Sequence, residues 1–296
     1  MTSTAIQSGD LTAAALLSAG AGRLREALIP RDPDASPDLD AELLLAHALG
    51  VARARLRSHG EETPAAEAAA RFLALIERRA AGEPIAYILG RKDFWTIELA
   101  VSPAVLVPRP ETELLVERAL ALHPGGEARV ADLGTGSGAI ALSLASAQPR
   151  WQIVATDISA AALAVAGANA AALGLARVQM VQGDWLSCLR GRTFDLLLSN
   201  PPYVAADDPA LSQPELMREP AQALVAADGG LAALRAIIAA APDHLAPGGW
   251  LLLEHGATQA AAVAGALVAR GFAQVRSHPD LAGRERMTEG QWPTHP

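Results

Sequence analysis

Four short segments of this chain carry residue types at spacings that can do chemistry. The first is Val130-Ala131-Asp132-Leu133-Gly134-Thr135-Gly136-Ser137-Gly138, an apolar run that ends in an acid and then alternating glycines. Glycine lets the backbone turn tightly and approach a ligand with no Cβ in the way. A helix start beyond the turn favours a negative group such as a carboxylate. Gly134, Gly136 and Ala139 also satisfy the loose dinucleotide pattern, so the turn alone does not choose between cofactors. The second is Asp157, which closes the run QIVATD. An acid there can accept hydrogen bonds from both hydroxyls of a ribose; the plain alternative is an N-cap for the helix near Ser159. The third is Gly183-Asp184-Trp185. Its Asp can accept from an adenine amino group and its indole can pack on a purine face, or it is a surface turn with a core tryptophan.

The fourth segment, Asn200-Pro201-Pro202-Tyr203, is the most informative. Two prolines remove two backbone donors and fix φ, which makes a rigid turn with free carbonyls. The Asn200 side-chain carbonyl and the Pro201 backbone carbonyl can both accept from one planar NH2 group, and the Tyr203 ring can lie against its flat face. That is a clamp for an amide or an exocyclic amine, and hydride transfer has no use for it.

These segments need a scaffold that brings them to one edge. From Glu111 onward, strand-like runs (ARVADL, QIVATD, VQMVQ, FDLLLS, GWLLLEH) alternate with helical patterns. That alternation predicts an α/β fold, a Rossmann-like doubly wound sheet with helices on both faces. Residues 11–82 read as helices, with Asp38 as an N-cap, Gly50 as a stop, and Thr63-Pro64 opening a third long helix that ends at Gly82. Residues 84–110 hold two β-rich runs, FWTIELAV and AVLV, read as a hairpin or paired strands. The expected division is 1–83 as an N-terminal helical domain, 84–110 as a β-hairpin linker and 111–296 as the catalytic domain. The helical domain reads equally as a partner-docking element or a packing cap.

Composition narrows the class. The chain has 296 residues, 51% hydrophobic and 19% charged, which excludes a disordered chain. A net charge of −8 argues against a general nucleic-acid-binding surface, which needs clustered Lys and Arg. Lys92 is the sole lysine, and alanine is abundant throughout, a genome-composition bias. Cys188 is the single cysteine, so no intramolecular disulfide or cysteine metal cluster forms. No metal site is expected. No signal peptide or membrane span is read from the sequence, and a cytoplasmic location is expected.

With these residues in view, the chain resembles the class I S-adenosylmethionine-dependent methyltransferases that act on planar nitrogen. More narrowly it resembles the HemK/PrmC-type methyltransferases of peptide chain release factors. The likeness runs through Gly82-Glu83-Pro84-Ile85-Ala86-Tyr87-Ile88-Leu89-Gly90, Phe94-Trp95 and Pro108-Arg109-Pro110-Glu111-Thr112-Glu113. It continues through Arg218-Glu219-Pro220, Glu254-His255-Gly256 and Asp280-Leu281-Ala282-Gly283-Arg284. The Pro-Arg-Pro-Glu-Thr-Glu segment is far more specific than the Asn-Pro-Pro-Tyr motif, which amine methyltransferases of DNA and RNA share.

The resemblance implies a class I methyltransferase sheet with an antiparallel C-terminal edge. It implies methyl transfer from S-adenosyl-L-methionine to the side-chain amide nitrogen of the glutamine in a release factor's Gly-Gly-Gln motif. Gly134, Thr135, Gly136, Ser137, Gly138, Asp157, Asp184, Trp185 and Asn200 would contact the cofactor. Asn200, Pro201, Pro202 and Tyr203 would hold the glutamine, with Asn200, Pro201 and Tyr203 catalytic. Pro108 to Thr112 would roof the pocket near the cofactor's methionine end, or serve as an interdomain joint. Arg218-Glu219-Pro220 would brace the loop over the site, contact the protein substrate or simply anchor the loop. His255 is read as structural. The competing reading is an exocyclic-amine methyltransferase of DNA or RNA. A nicotinamide-dependent dehydrogenase and a non-enzymatic release-factor binder are more distant.

Overall fold

The structure, a computed structural model, describes residues 11–123 and 125–294. It separates into two compact units. The first runs to Gly90 and takes in Ser212–Arg218; the second comprises Arg91–Leu211 and the chain from Glu219 onward.

The first unit is helical: α1 (Ala13–Leu28), α2 (Pro37–Leu49), α3 (Arg53–Ser58), α4 (Ala66–Ala80) and α5 (Ile85–Leu89). Leu16, Leu24, Leu44, Leu45, Phe72 and Ile76 form its buried centre. Each such side chain contributes about 1.5–3 kcal/mol by leaving water. Gly20 lets α1 and α4 approach, because a Cβ there would lie 2.6 Å from the Phe72 ring. Ser36, ahead of Pro37, occupies the N-cap of α2, and the expected cap Asp38 falls in its first turn. Gly50 ends α2 in the left-handed region, as its sequence position suggests.

The second unit opens with a hairpin, β1 (Arg91–Phe94) and β2 (Ile97–Ala100). The run FWTIELAV is therefore not one strand: Trp95, at φ 54°, sits in the turn inside it. The run AVLV forms no strand; its Val105 and Leu106 face a cavity instead. The Asn169 side chain anchors the hairpin by accepting from Ala100 N at 2.8 Å and donating to Ala100 O at 3.0 Å.

After α6 (Glu113–Leu122) the expected alternation follows: β3 (Arg129–Leu133), α7 (Ala139–Ala147), β4 (Gln152–Asp157), α8 (Ala160–Ala172), β5 (Gln179–Gln182) and β6 (Phe194–Ser199). Then come α9 (Ala221–Leu224), α10 (Ala232–Ala240), β7 (Leu245–Glu254), α11 (Ala260–Arg270), β8 (Ala273–Pro279) and β9 (Glu285–Gln291). The sheet order is β5-β4-β3-β6-β7-β9-β8. Strands β3 to β7 pair parallel and β8 and β9 antiparallel, which is a class I methyltransferase fold with an antiparallel edge.

Strand alternation builds both faces. Leu196, Leu198 and Leu252 pack with α6 and α7, while Leu197, Leu251 and Leu253 pack with α10 and α11. Register then decides where the site lies. Leu133 pairs with Thr156 and with Ser199, Asp157 with Gln182, and Ser199 with Leu253. The residues that follow these positions leave the sheet at one carboxyl edge, the ligand edge of open α/β sheets. Among the described residues no helix is long and apolar enough to cross a membrane.

Candidate active site

At that edge lies a cavity of about 390 Å³. Gly134, Thr135, Gly136, Ser137, Asp157, Asp184, Trp185, Asn200 and Pro202 line it, with Thr112 and Pro108 on another side. Three of the expected site residues do not line it: Gly138, Pro201 and Tyr203. Gly138 is the N-cap of α7 at φ 88°, where a Cβ would press to 2.8 Å on Leu142. Pro201 is buried beneath the turn. Tyr203 is half-buried, and its hydroxyl donates to Glu254 Oε1 at 3.2 Å.

The glycine turn is set by backbone bonds. Gly134 N and Thr135 N both donate to Thr156 O, at 2.9 and 2.8 Å. Asp132 stabilises the turn from below: its Oδ2 accepts from Thr135 Oγ1 at 2.6 Å and from Ala141 N at 3.2 Å. Complete burial, partly offset by those bonds, pushes its carboxyl up to about 7. Gly134, at φ 74°, faces the Trp185 ring so closely that a Cβ would lie 3.0 Å from it. Gly136, at φ 57°, has only open space where a Cβ would point. Trp185 itself has a left-handed backbone, φ 45°, an uncommon conformation held where the ring meets the turn.

Asp157 fills the role of a local organiser as well. Its Oδ2 accepts from Gly136 N at 3.0 Å and its Oδ1 from Ser159 N at 2.9 Å. The cap of α8 is Ser159, whose hydroxyl accepts from Ala162 N at 3.2 Å. Each carboxylate oxygen keeps a further lone pair for a ligand hydroxyl. The walls Ala104, Val105, Leu106, Ile140, Ile158 and Ala162 are apolar. Ile158 is exposed at the rim. A cavity of this size, with open backbone at Gly136, two acceptors at Asp157 and a ring at Trp185, fits an adenosyl cofactor.

The other half of the cavity is held from a distance. Asn200 Nδ2 donates to Thr112 Oγ1 at 3.0 Å, which leaves Asn200 Oδ1 without a claim on it from Thr112. Ser199 Oγ donates to Leu133 O at 2.7 Å and locks the strand end beneath the turn. The Tyr203 carbonyl accepts from Gln259 Nε2 at 3.0 Å, and Gly230 gives it room, since a Cβ there would lie 2.1 Å from that oxygen. Val204 pairs with Val225 and draws α9 beside the turn.

Two buried acids, Glu219 of the Arg-Glu-Pro segment and Glu254, stabilise this half. Glu219 accepts from Val107 N at 3.1 Å and from Arg109 Nη2 at 2.5 Å, which pins the segment whose Val105, Leu106 and Pro108 line the cavity. Glu254, wholly buried at the end of β7, sits behind Tyr203. Burial pushes its carboxyl up to about 7. The signal for both was present as acids inside otherwise apolar or proline-flanked runs, but only long-range packing shows what they hold. His255 is buried between Thr288 Oγ1 at 2.8 Å and Gly256 O at 3.0 Å, and burial lowers its basicity.

The chain resembles known proteins along most of its length. A family model described as the PrmC N-terminal domain matches residues 15–90, and one described as the methyltransferase small domain matches residues 110–233. The chain is 52% identical over 256 residues to a release factor glutamine methyltransferase of Xylella fastidiosa, covering 86% of this chain and 93% of that one. It is 50% identical over 269 residues to the protein of that name from Pseudomonas aeruginosa, covering 91% and 97%. A solved methyltransferase from Pyrococcus furiosus shares the fold, with a TM-score of 0.51 and 19% identity over 66% of this chain and 88% of its own.

Proposed function

The chain belongs to the release factor glutamine methyltransferase family, an S-adenosylmethionine-dependent family, and from that premise we propose how it works. It methylates the side-chain amide nitrogen of the glutamine in the Gly-Gly-Gln motif of peptide chain release factors, in the cytoplasm. The single observation that carries the reading is Asn200 at the cavity wall, its side-chain NH2 engaged by Thr112 Oγ1 at 3.0 Å.

S-adenosylmethionine supplies an activated methyl group when bound. Gly134 and Gly136 would offer it backbone without side chains, Asp157 two acceptors for its ribose, and Asp184 and Trp185 a seat for its adenine. An amide nitrogen is a poor nucleophile because its lone pair is delocalised, so the protein must align it with the methyl carbon at roughly 3–3.5 Å. Asn200 Oδ1 and the Pro201 carbonyl accept the two NH hydrogens and fix that nitrogen. The same two oxygens stabilise the positive charge that builds on nitrogen as the methyl arrives. Tyr203 covers the flat face of the amide. No strong general base is needed, because a protonated N-methyl amide is very acidic. The helical unit is the docking element for the protein substrate.

Intact-mass spectrometry with peptide mapping of a release factor incubated with this protein and S-adenosylmethionine tests the reading. The expected result is a single methyl on the Gly-Gly-Gln glutamine. Cofactor binding without transfer to the release factor, but with transfer to an adenine or cytosine amine, would replace it with the nucleic-acid reading.

A further inference from the structure

Residues 280–284 connect β8 to β9 and take no part in the cavity. Glu254, the last residue of β7, pairs with Met287 of β9, and His255 N donates to Arg286 O at 2.9 Å. On its other side β7 pairs with β6, Leu253 opposite Ser199, the residue before Asn200. Register therefore places residues 280–284 beyond the carboxyl edge from which Asn200 leaves the sheet. They lie on the side away from β3, β4 and β5 and their cofactor half. Asp280 fixes the shape of this loop. Its Oδ1 accepts from Ala282 N and Arg284 N, both at 2.9 Å. Its Oδ2 accepts from Arg284 Nε at 3.0 Å and Arg286 Nε at 3.4 Å. Asp280 N donates to Arg284 O at 2.8 Å and Gly283 N to Asp280 O at 2.9 Å, with Gly283 turning the chain at φ 77°.

None of these bonds needs the Leu281 side chain, which the loop holds fully in water. The other exposed large apolar side chains among the described residues reach at most 70%. A lone exposed leucine is ordinary. One carried by a loop that keeps its shape without it is preorganised, so little ordering entropy is lost when a partner covers it. The charges at the base of the loop are spent on one another. Arg284 and Arg286 share Asp280, and Arg286 lies 4.0 Å from Glu111, the neighbour of the Thr112 that bonds Asn200. Two cations and two carboxylates balance, so the rim suits an uncharged peptide and not a phosphate backbone. Resting on the function proposed above, we propose that residues 280–284 dock the uncharged, glycine-containing peptide that flanks the acceptor glutamine. Leu281 is its apolar contact, and Asp280 holds that leucine out.

The test uses the full-length protein with a release factor and S-adenosylmethionine. Leu281→Ser raises KM for the release factor roughly tenfold, while kcat and the calorimetric S-adenosylmethionine affinity stay within about twofold of the parent. Leu281→Met recovers most of the loss. Asp280→Ala keeps the leucine but frees the loop, and raises KM by a smaller factor. Val268→Ser removes an exposed apolar side chain from the last turn of α11, which leads into β8 at the opposite edge of the sheet, and leaves KM unchanged. A photoreactive side chain, Leu281→p-benzoylphenylalanine, crosslinks to the peptide that carries the Gly-Gly-Gln motif, as mapped by mass spectrometry. A parent-like KM in Leu281→Ser, an equal rise in Val268→Ser, or crosslinks confined to remote parts of the release factor overturns the proposal. A parent that transfers no methyl to the release factor brings down the proposed function and the docking role with it. A parent that does, beside a Leu281→Ser of unchanged KM, brings down the docking role alone.

Discussion

The two halves of the cavity are built on different principles. The half at β3, β4 and β5 is held by its own backbone: Gly134 N and Thr135 N bond Thr156 O, and Asp157 bonds Gly136 N and Ser159 N. Every partner lies within a single β-α-β-α-β stretch. The half at β6 and β7 is held by side chains from remote parts of the chain. Asn200 depends on Thr112, Tyr203 on Glu254 and Gln259, and the Val105–Pro108 wall on Glu219. A backbone cradle tolerates variation among the side chains around it. A side-chain clamp loses its geometry when one distant member changes, so the second half is the more breakable.

That contrast can be broken most severely at Asn200. Asn200→Ala removes one of the two acceptors proposed for the substrate amide and is expected to lower kcat by about 10²–10³ in a methyl-transfer assay. Asn200→Asp fails as well, because it replaces an amide with a charge and cannot donate to Thr112. Near-normal activity in either folded variant would show that the clamp account is wrong.

The pH dependence of stability sharpens the contrast next. The Glu254 carboxyl is raised from the ordinary carboxylate range to about 7 by burial. Folding therefore favours its protonated form, and the stability it contributes is full below about pH 4.5 and lost as pH rises through 7. Glu254→Gln removes that loss, which is on the order of 3 kcal/mol. Urea unfolding at pH 5 and pH 8 should show a smaller drop for the variant than for the parent. The residual drop belongs in part to Asp132, raised to about 7 in the same direction.

Glu219→Ala should cost about 2 kcal/mol in the same unfolding measurement, because Val107 N is left without its buried acceptor and Arg109 without its carboxylate. It should also weaken S-adenosylmethionine binding, since Val105, Leu106 and Pro108 lose their anchor. Asp157→Ala gives the smallest effect, about a tenfold weaker cofactor affinity by calorimetry, with the Asn200 half intact. A loss confined to kcat in Asp157→Ala would dissolve the distinction between the halves.

Much of the fold and of the first half was legible in the residues. Alternating apolar runs and helical patterns predict the parallel sheet, and the antiparallel edge expected from the resemblance is present. Gly134 and Gly136 announce a turn at positive φ, because few other residues adopt it without strain. Less was legible where chain-distant packing decides. FWTIELAV reads as one strand yet contains a turn at Trp95, and AVLV has strand composition yet lines the cavity. Tyr203 was read from the turn alone, and the tie of its hydroxyl to Glu254, fifty-one positions further on, is a contact that no local spacing shows.

By itself the sequence determined the chemistry: a rigid Asn-Pro-Pro-Tyr turn, a glycine turn and an acid at a strand end, each encoded by local backbone preference. Tertiary structure alone decided which way the Asn200 amide faces and which buried acids support it. The physical reason is that register sets Asn200 beside Glu254 at the sheet edge, while packing of a chain-distant segment brings Thr112 to Asn200. Hydrogen-bond direction at a buried site depends on partners that no local spacing reveals.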